Sequence, residues 1–138
     1  VTQTVFVLDP RLQADTQHVA TLPLCDLRLM NDARYAWLLL VPKRAGLVEI
    51  SDLSGDEQAQ LWHEVNQAAA ALRSIAPCDK LNIGALGNIV RQLHVHVVAR
   101  CEDDAAWPGP VWGHSPAQAY DDDALRHRCN ALGRALAA

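Results

Sequence analysis

Two histidines, one residue apart, carry the chemistry in this sequence. They stand in Gln92-Leu93-His94-Val95-His96-Val97-Val98, where apolar and polar residues alternate with the period of a strand. On such a strand Leu93, Val95 and Val97 face a core. Gln92, His94 and His96 line the opposite face, with successive Cα atoms on it about 6.6–6.8 Å apart. Imidazoles fixed in this way can divide labour. One attacks as a nucleophile near its unperturbed pKa of about 6.5, and the other donates a hydrogen bond or a proton. Phosphorus is a suitable electrophile, because a phosphoryl-histidine intermediate splits one hard displacement into two easier ones.

A phosphate must also be held. Leu81-Asn82-Ile83-Gly84-Ala85-Leu86-Gly87-Asn88 offers Gly84 and Gly87 for close backbone approach, and Asn82 and Asn88 as neutral donors. A plain reading competes with this one, because two histidines on a strand are often structural or solvent-facing. Metal binding competes as well. His94 and His96 would supply two ligands, but His18, His63, His114 and His127 stand at no convincing ligand spacing for a third. The absence of the H-x-E and P-C-x-x-C signatures argues against a zinc deaminase.

The elements that must position these residues follow from periodicity. Thr4–Leu8 is rich in valine and reads as a short strand. The polar stretch Pro10–Thr21 has room for a short helix. Cys25–Met30 alternates, with Cys25, Leu27 and Leu29 on one face, and the turn Asn31-Asp32-Ala33-Arg34 joins it to the apolar run Ala36–Val41. These two strands form a hairpin, the second stopped by Pro42. Ser54 and Glu57 make a capping box for a helix whose stripe is Leu61, Val65, Ala68, Ala69 and Leu72, ending before Pro77. Lys80–Leu86 and Leu93–Arg100 read as strands. Leu125, Cys129, Leu132 and Leu136 form the apolar face of a last helix. Strands, helix, strands, helix without repeats predict an α+β fold with a mainly antiparallel sheet.

Composition bounds the rest. A chain of 138 residues, half hydrophobic and a fifth charged, is expected to fold as a single domain over 1–138. The net charge of −4, with basic residues scattered, argues against nucleic-acid binding. No apolar stretch approaches the roughly 20 residues of a membrane span. No basic segment followed by an apolar one opens the chain, so no signal peptide is expected. Cys25, Cys78, Cys101 and Cys129 are widely spaced and read as reduced packing residues of a cytoplasmic protein.

Taken together these stretches resemble the histidine triad (HIT) superfamily of nucleotide hydrolases and transferases. Its signature is three alternating histidines followed by two apolar residues, and here Gln92 stands for the first histidine. Leu39-Leu40-Val41-Pro42-Lys43-Arg44 matches the family's strand ending in Pro-Lys-Arg. Leu47–Leu53 before the capped helix and the Asn82 segment fall in the family's order, so the resemblance covers 25–100. It implies a five-stranded, mainly antiparallel sheet with two helices, dimerising into ten strands. It implies that His94 attacks the α-phosphorus of a nucleotide and that His96 serves the phosphate or leaving group. Asn82 and Asn88, with Gly87, would hold phosphate oxygens, and Asn31 or Asp32 would contact the ribose. The substrates implied are nucleoside phosphoramidates, dinucleoside polyphosphates or nucleotidyl adducts, with no cofactor and no bound metal. A homodimer with a nucleotide substrate is the expected assembly.

Three departures qualify the match. Gln92 keeps a donor and an acceptor but cannot titrate. Ala45-Gly46 replaces a frequent histidine after Pro-Lys-Arg, and Asn88-Ile89 removes a hydroxyl donor before the triad. Loss of one oxyanion-type donor can cost about 10²–10³ in rate, so a nucleotide binder with little turnover is the alternative, and a metal-dependent hydrolase using His94 and His96 the second. In the 101–138 tail, Trp107-Pro108-Gly109-Pro110-Val111-Trp112-Gly113 reads as a stiff loop. Either tryptophan could border the nucleotide pocket, with Trp112 the candidate, although covering the sheet is the plainer role for both. Asp121-Asp122-Asp123 suits a helix N-terminus, and Lys43 and Arg44 suit a solvated strand end.

Overall fold

The computed structural model describes residues 5–138. Its strands are β1 (Thr16–Thr21), β2 (Cys25–Met30), β3 (Ala36–Pro42), β4 (Lys80–Gly84) and β5 (Val95–Arg100). They form one sheet of order β1-β2-β3-β5-β4, with every neighbouring pair antiparallel. All seven residues of β3 are buried, as a central strand covered on both faces requires.

The two faces differ in what covers them. Helices α2 (Gly55–Ile75) and α3 (Asp122–Ala137) pack Leu61, Val65, Leu72 and Leu132 against Leu27, Leu29, Leu38, Leu40, Val95 and Val97. Each such side chain taken from water contributes roughly 1.5–3 kcal/mol, so this face is the main core. The other face carries Tyr35, Trp37, Leu39, Val41 and Val98. It is covered by Leu12 of a short helix α1 (Pro10–Asp15) and by Ala106 and Val111 of the following loop. Short segments cannot seal a sheet as long helices do, and an open cleft remains on this side.

The capping signals act as the residue types require. The Ser54 side chain accepts from Glu57 N and the Glu57 carboxylate accepts from Ser54 N. Asp121 caps α3 by accepting from Ala124 N. Arg44 pairs at the surface with Glu57 at 2.6 Å. All four cysteines are free thiols.

Four expectations need correction. Thr4 lies outside the described residues, and Val5–Leu8 forms no strand. Pro10–Thr21 holds a strand as well as a helix. β1 is an edge strand, largely exposed and bulged between His18 and Ala20, so it lacks the apolar alternation that marks buried strands. β4 ends at Gly84 rather than Leu86. β5 begins at Val95, which leaves Leu93 and His94 just ahead of the ladder, with Leu93 N bonded to Leu47 O.

One buried charge was not legible. Glu64 of α2 is fully buried and its carboxylate accepts from Leu24 N and Cys25 N, at 2.9 and 2.8 Å, and from the Gln60 amide. It closes the turn entering β2 by satisfying two backbone donors. Burial, reinforced by this carboxylate, pushes the Cys25 thiol well above its ordinary range.

Candidate active site

His94 and His96 lie on the cleft side of the sheet, only 7% and 5% exposed, with ring centroids 4.9 Å apart and the rings edge to face. The backbone continues the strand alternation through Leu93, which sends both rings away from the helices. Each ring has one nitrogen fixed by a partner of a single kind, and the two partners are opposite in kind.

His94 Nδ1 lies 2.7 Å from the Gln92 carbonyl oxygen. A carbonyl only accepts, so Nδ1 carries the hydrogen and the neutral ring presents its Nε2 lone pair. The indole Nε1 of Trp37 lies 3.0 Å from His96 Nδ1. An indole N–H only donates, so His96 Nδ1 is the acceptor and Nε2 carries the hydrogen. Burial, and secondarily the neighbouring His94, push the His96 pKa down to about 3. His96 is therefore a neutral donor at physiological pH. The pair places a nucleophilic lone pair beside an uncharged N–H, with both Nε2 atoms unpartnered among the described residues.

The rings open onto a cleft of about 450 Å³ walled by Met30, Trp37, Leu39, Val90 and Trp112, with Gly87, Asn88 and Ile89 along one side and Arg11, Leu12 and Asp15 of α1 along another. Its size lies within the range of small-molecule sites. A second, polar cleft of about 170 Å³ meets the first at His94, Leu86, Gly87 and Asn88, and is lined by Val48, Glu49, Ala85, Arg91 and Gln92. Gly87 has φ +65°, which turns the backbone in a way that side-chain-bearing residues rarely adopt.

The sequence candidates separate into two groups. His94, His96, Asn88, Gly87 and Trp112 meet at the clefts. Asn82, Asn31 and Asp32 are engaged elsewhere. Asn82 shares the site face of the sheet, but its Oδ1 accepts from Arg100, 2.8 Å away. Asn31 Oδ1 accepts from Tyr120 N. Asp32 pairs with Arg34 at 2.9 Å and accepts weakly from Gln118 N. Burial alone would raise the Asp32 pKa, but the Arg34 bonds outweigh it and hold the carboxyl low. The turn residues expected at the ribose thus bind the main chain of Gln118 and Tyr120. Gln92 borders the polar cleft, yet its side chain binds main chain, accepting from Asp9 N at 2.9 Å and donating to Val7 O at 2.8 Å.

The two loop tryptophans also separate. Trp107 lies under the Arg100 guanidinium, 5.5 Å from it, and is structural. Trp112 stands edge-on to His96 and Trp37, with centroids 5.3 and 6.4 Å away, and walls the cleft. Sequence reasoning missed Trp37, although its position in β3 opposite the histidine strand placed it on the same face. It also missed Arg11 and Asp15, for which the only signal was the short polar helix.

The model of the HIT domain family matches residues 11–103. A histidine triad protein of Sinorhizobium meliloti is 49% identical with a TM-score of 0.91, over 94% of this chain and 96% of that one. One from Bradyrhizobium japonicum is 48% identical with a TM-score of 0.92, over 96% and 98%. A third, from Marinobacter aquaeolei, is 38% identical with a TM-score of 0.93, over 96% and 97%. A search of curated proteins finds no match. The chain belongs to the histidine triad family, whose members bind nucleotides and commonly hydrolyse them. No helix among the described residues is long and apolar enough to cross a membrane.

Proposed function

We propose that this protein is a nucleotide hydrolase or transferase acting at the α-phosphate through a nucleotidyl-histidine on His94. One observation carries the reading: the two buried rings hold opposite tautomers at the meeting point of an apolar and a polar cleft. The nucleoside lies in the larger cleft against Met30, Leu39, Val90 and Trp112. The leaving group lies in the smaller one, and the α-phosphate at the seam by His94 receives donors from Asn88 and the Gly87 backbone.

His94 Nε2 attacks phosphorus, a nitrogen–phosphorus bond forms and the bond to the leaving group breaks. Water then attacks phosphorus, His94 leaves, and a nucleoside monophosphate is released. His96 Nε2–H stabilises charge on the phosphoryl oxygens. A neutral imidazole gives a hydrogen bond and not a proton at pH 7, so solvent protonates the leaving amine before or as its bond to phosphorus breaks. Of the two roles open to the second histidine, a hydrogen bond or a proton, His96 takes the first in this reading. Metal ligation fits the pair poorly, because His96 has Nδ1 occupied by Trp37 and a hydrogen on Nε2.

The protein pairs as a homodimer through β4 in this reading. β4 is an edge strand, and Ile83 within it and Leu86 just past its end are 40% and 42% exposed, an open edge of the kind that pairs with another chain. Sedimentation should give twice the chain mass; a monomer at micromolar concentration would contradict it.

The deciding experiment mixes the protein with nucleoside phosphoramidates and dinucleoside polyphosphates and reads intact mass. A nucleoside monophosphate adduct on His94, formed with chelator present and absent from His94→Ala, is expected. Binding of nucleoside monophosphate without adduct or turnover would instead favour a pure binder, a reading motivated by Ile89, which is 76% exposed and brings no hydroxyl.

A further inference from the structure

Gln92 occupies the first position of the histidine motif, yet both polar atoms of its side chain are committed to the backbone of the N-terminal stretch. We infer that Gln92 is a positioning residue: it ties residues 7–9 to the approach of β5 and thereby fixes α1 as one wall of the nucleotide cleft. The inference rests on the nucleotide reading above and goes beyond it by assigning the variant position a role in binding.

The argument begins with α1 itself. Six residues are too few to hold a helix in water, so its placement depends on tertiary contacts. Its C-terminal end is secured, because Thr16 continues into β1, Asp15 O accepts from Asn31 N, and Leu12 packs beside Trp37 and Leu39. Its N-terminal end has Phe6 and Leu8 packed against the same cluster, a non-directional anchor. Among the described residues, the only hydrogen bonds from residues 5–9 to distant parts of the chain are the two made by the Gln92 amide. Arg11, Leu12 and Asp15 line the same cleft as His94 and His96. The directional part of that anchor, which sets the tilt of the wall, thus comes from the motif's first position.

The chemistry explains why an amide suits the place. An extended chain presents the carbonyl of one residue and the N–H of the second residue on along the same side. A carboxamide carries its oxygen and its NH2 on one carbon and meets both at once, as the N–H and carbonyl of one residue in a neighbouring parallel strand would. Gln92 does this with Val7 O and Asp9 N. An imidazole carries its two nitrogens at diverging corners and changes charge near neutral pH. The exchange of histidine for glutamine gives a strap that is indifferent to pH.

The test uses Gln92→Met, which keeps the size and removes both bonds, and Gln92→Glu, which keeps the acceptor for Asp9 N and loses the donor for Val7 O. Amide hydrogen exchange over residues 10–15 is measured alongside AMP affinity and phosphoramidate turnover. In Gln92→Met those amides should exchange at least tenfold faster, and AMP Kd and KM should rise about tenfold, with a smaller change in kcat. Gln92→Glu should fall between it and the wild type, and carries the same test should the methionine variant not fold. Unchanged exchange in a protein that turns nucleotide over would overturn this inference alone. So would a fall in kcat at constant KM, which marks a group acting on the reacting atoms. A wild type that neither binds nor turns over nucleotides would overturn the functional reading, and this one with it.

Discussion

The two ends of β5 carry buried polar groups on the same face of the sheet and treat them in opposite ways. At the far end Arg100, 1% exposed, uses four of its five N–H groups. It donates twice to Asp104, once to Asn82 and once to Gly109 O. Asp104 in turn accepts from Cys101 N and Trp107 N, and the guanidinium holds its carboxyl below the usual range. At the near end His94 and His96 have one ring nitrogen bonded and the other open to the cleft. A nearly saturated polar cluster fixes structure, in this case the loop that brings Trp112 to the site. A half-saturated one, oriented but left with an unused lone pair and an unused N–H, is available for chemistry. Burial alone does not separate the two, but the bookkeeping of donors and acceptors does.

Exchanging damage between the two ends tests the distinction. Arg100→Met leaves the Asp104 carboxylate buried without its counter-charge, and stability should fall by about 3–5 kcal/mol, read from the urea midpoint. His94→Ala removes one hydrogen bond at the edge of an open cleft and should cost about 1 kcal/mol, while nucleotidyl-adduct formation falls about 10³-fold or more. If His94→Ala destabilises the protein as much as Arg100→Met does, the near end is structural too and the division fails.

The sequence made the histidine end easier to read than the arginine end. His94 and His96 alternate with valines, and local alternation fixes which way the rings point. The hairpin of β2 and β3 and the capped α2 were equally local signals. Arg100 joins Asp104, Asn82 and Gly109 only after the loop has folded back, and nothing in the spacing announces it. The partners of Asn31 and Asp32 were hidden for the same reason. These two polar side chains at a strand end suited a ribose, but Tyr120 and Gln118 arrive from the C-terminal tail and engage them. Trp37 was read as one more apolar residue of a buried strand. Its indole N–H sets the tautomer of His96, a role that depends on which strand lies beside β3. Long-range partnerships of single polar atoms were the illegible part, whereas the apolar periodicities that fix the sheet were visible.

The two ends should also respond to acid in different windows, with a smaller effect. His96 stays neutral in the folded protein down to about pH 3, whereas in the unfolded chain it takes a proton below about pH 6.5. Above that value neither state is protonated and its contribution is full. As pH falls from 6.5 towards 3 the unfolded chain binds a proton that the folded chain refuses, and stability falls. By pH 4.5 the loss should be roughly 2–3 kcal/mol. The Asp104 contribution survives that range, because a depressed carboxyl loses stability only as pH drops below the unfolded value near 4. The His96→Asn variant cannot titrate. Urea unfolding at pH 7 and pH 4.5 should therefore show the wild type losing roughly 2–3 kcal/mol more than the variant. Equal losses would mean that His96 accepts its proton in the folded state, that burial does not hold the ring neutral, and that the pair can transfer a proton after all.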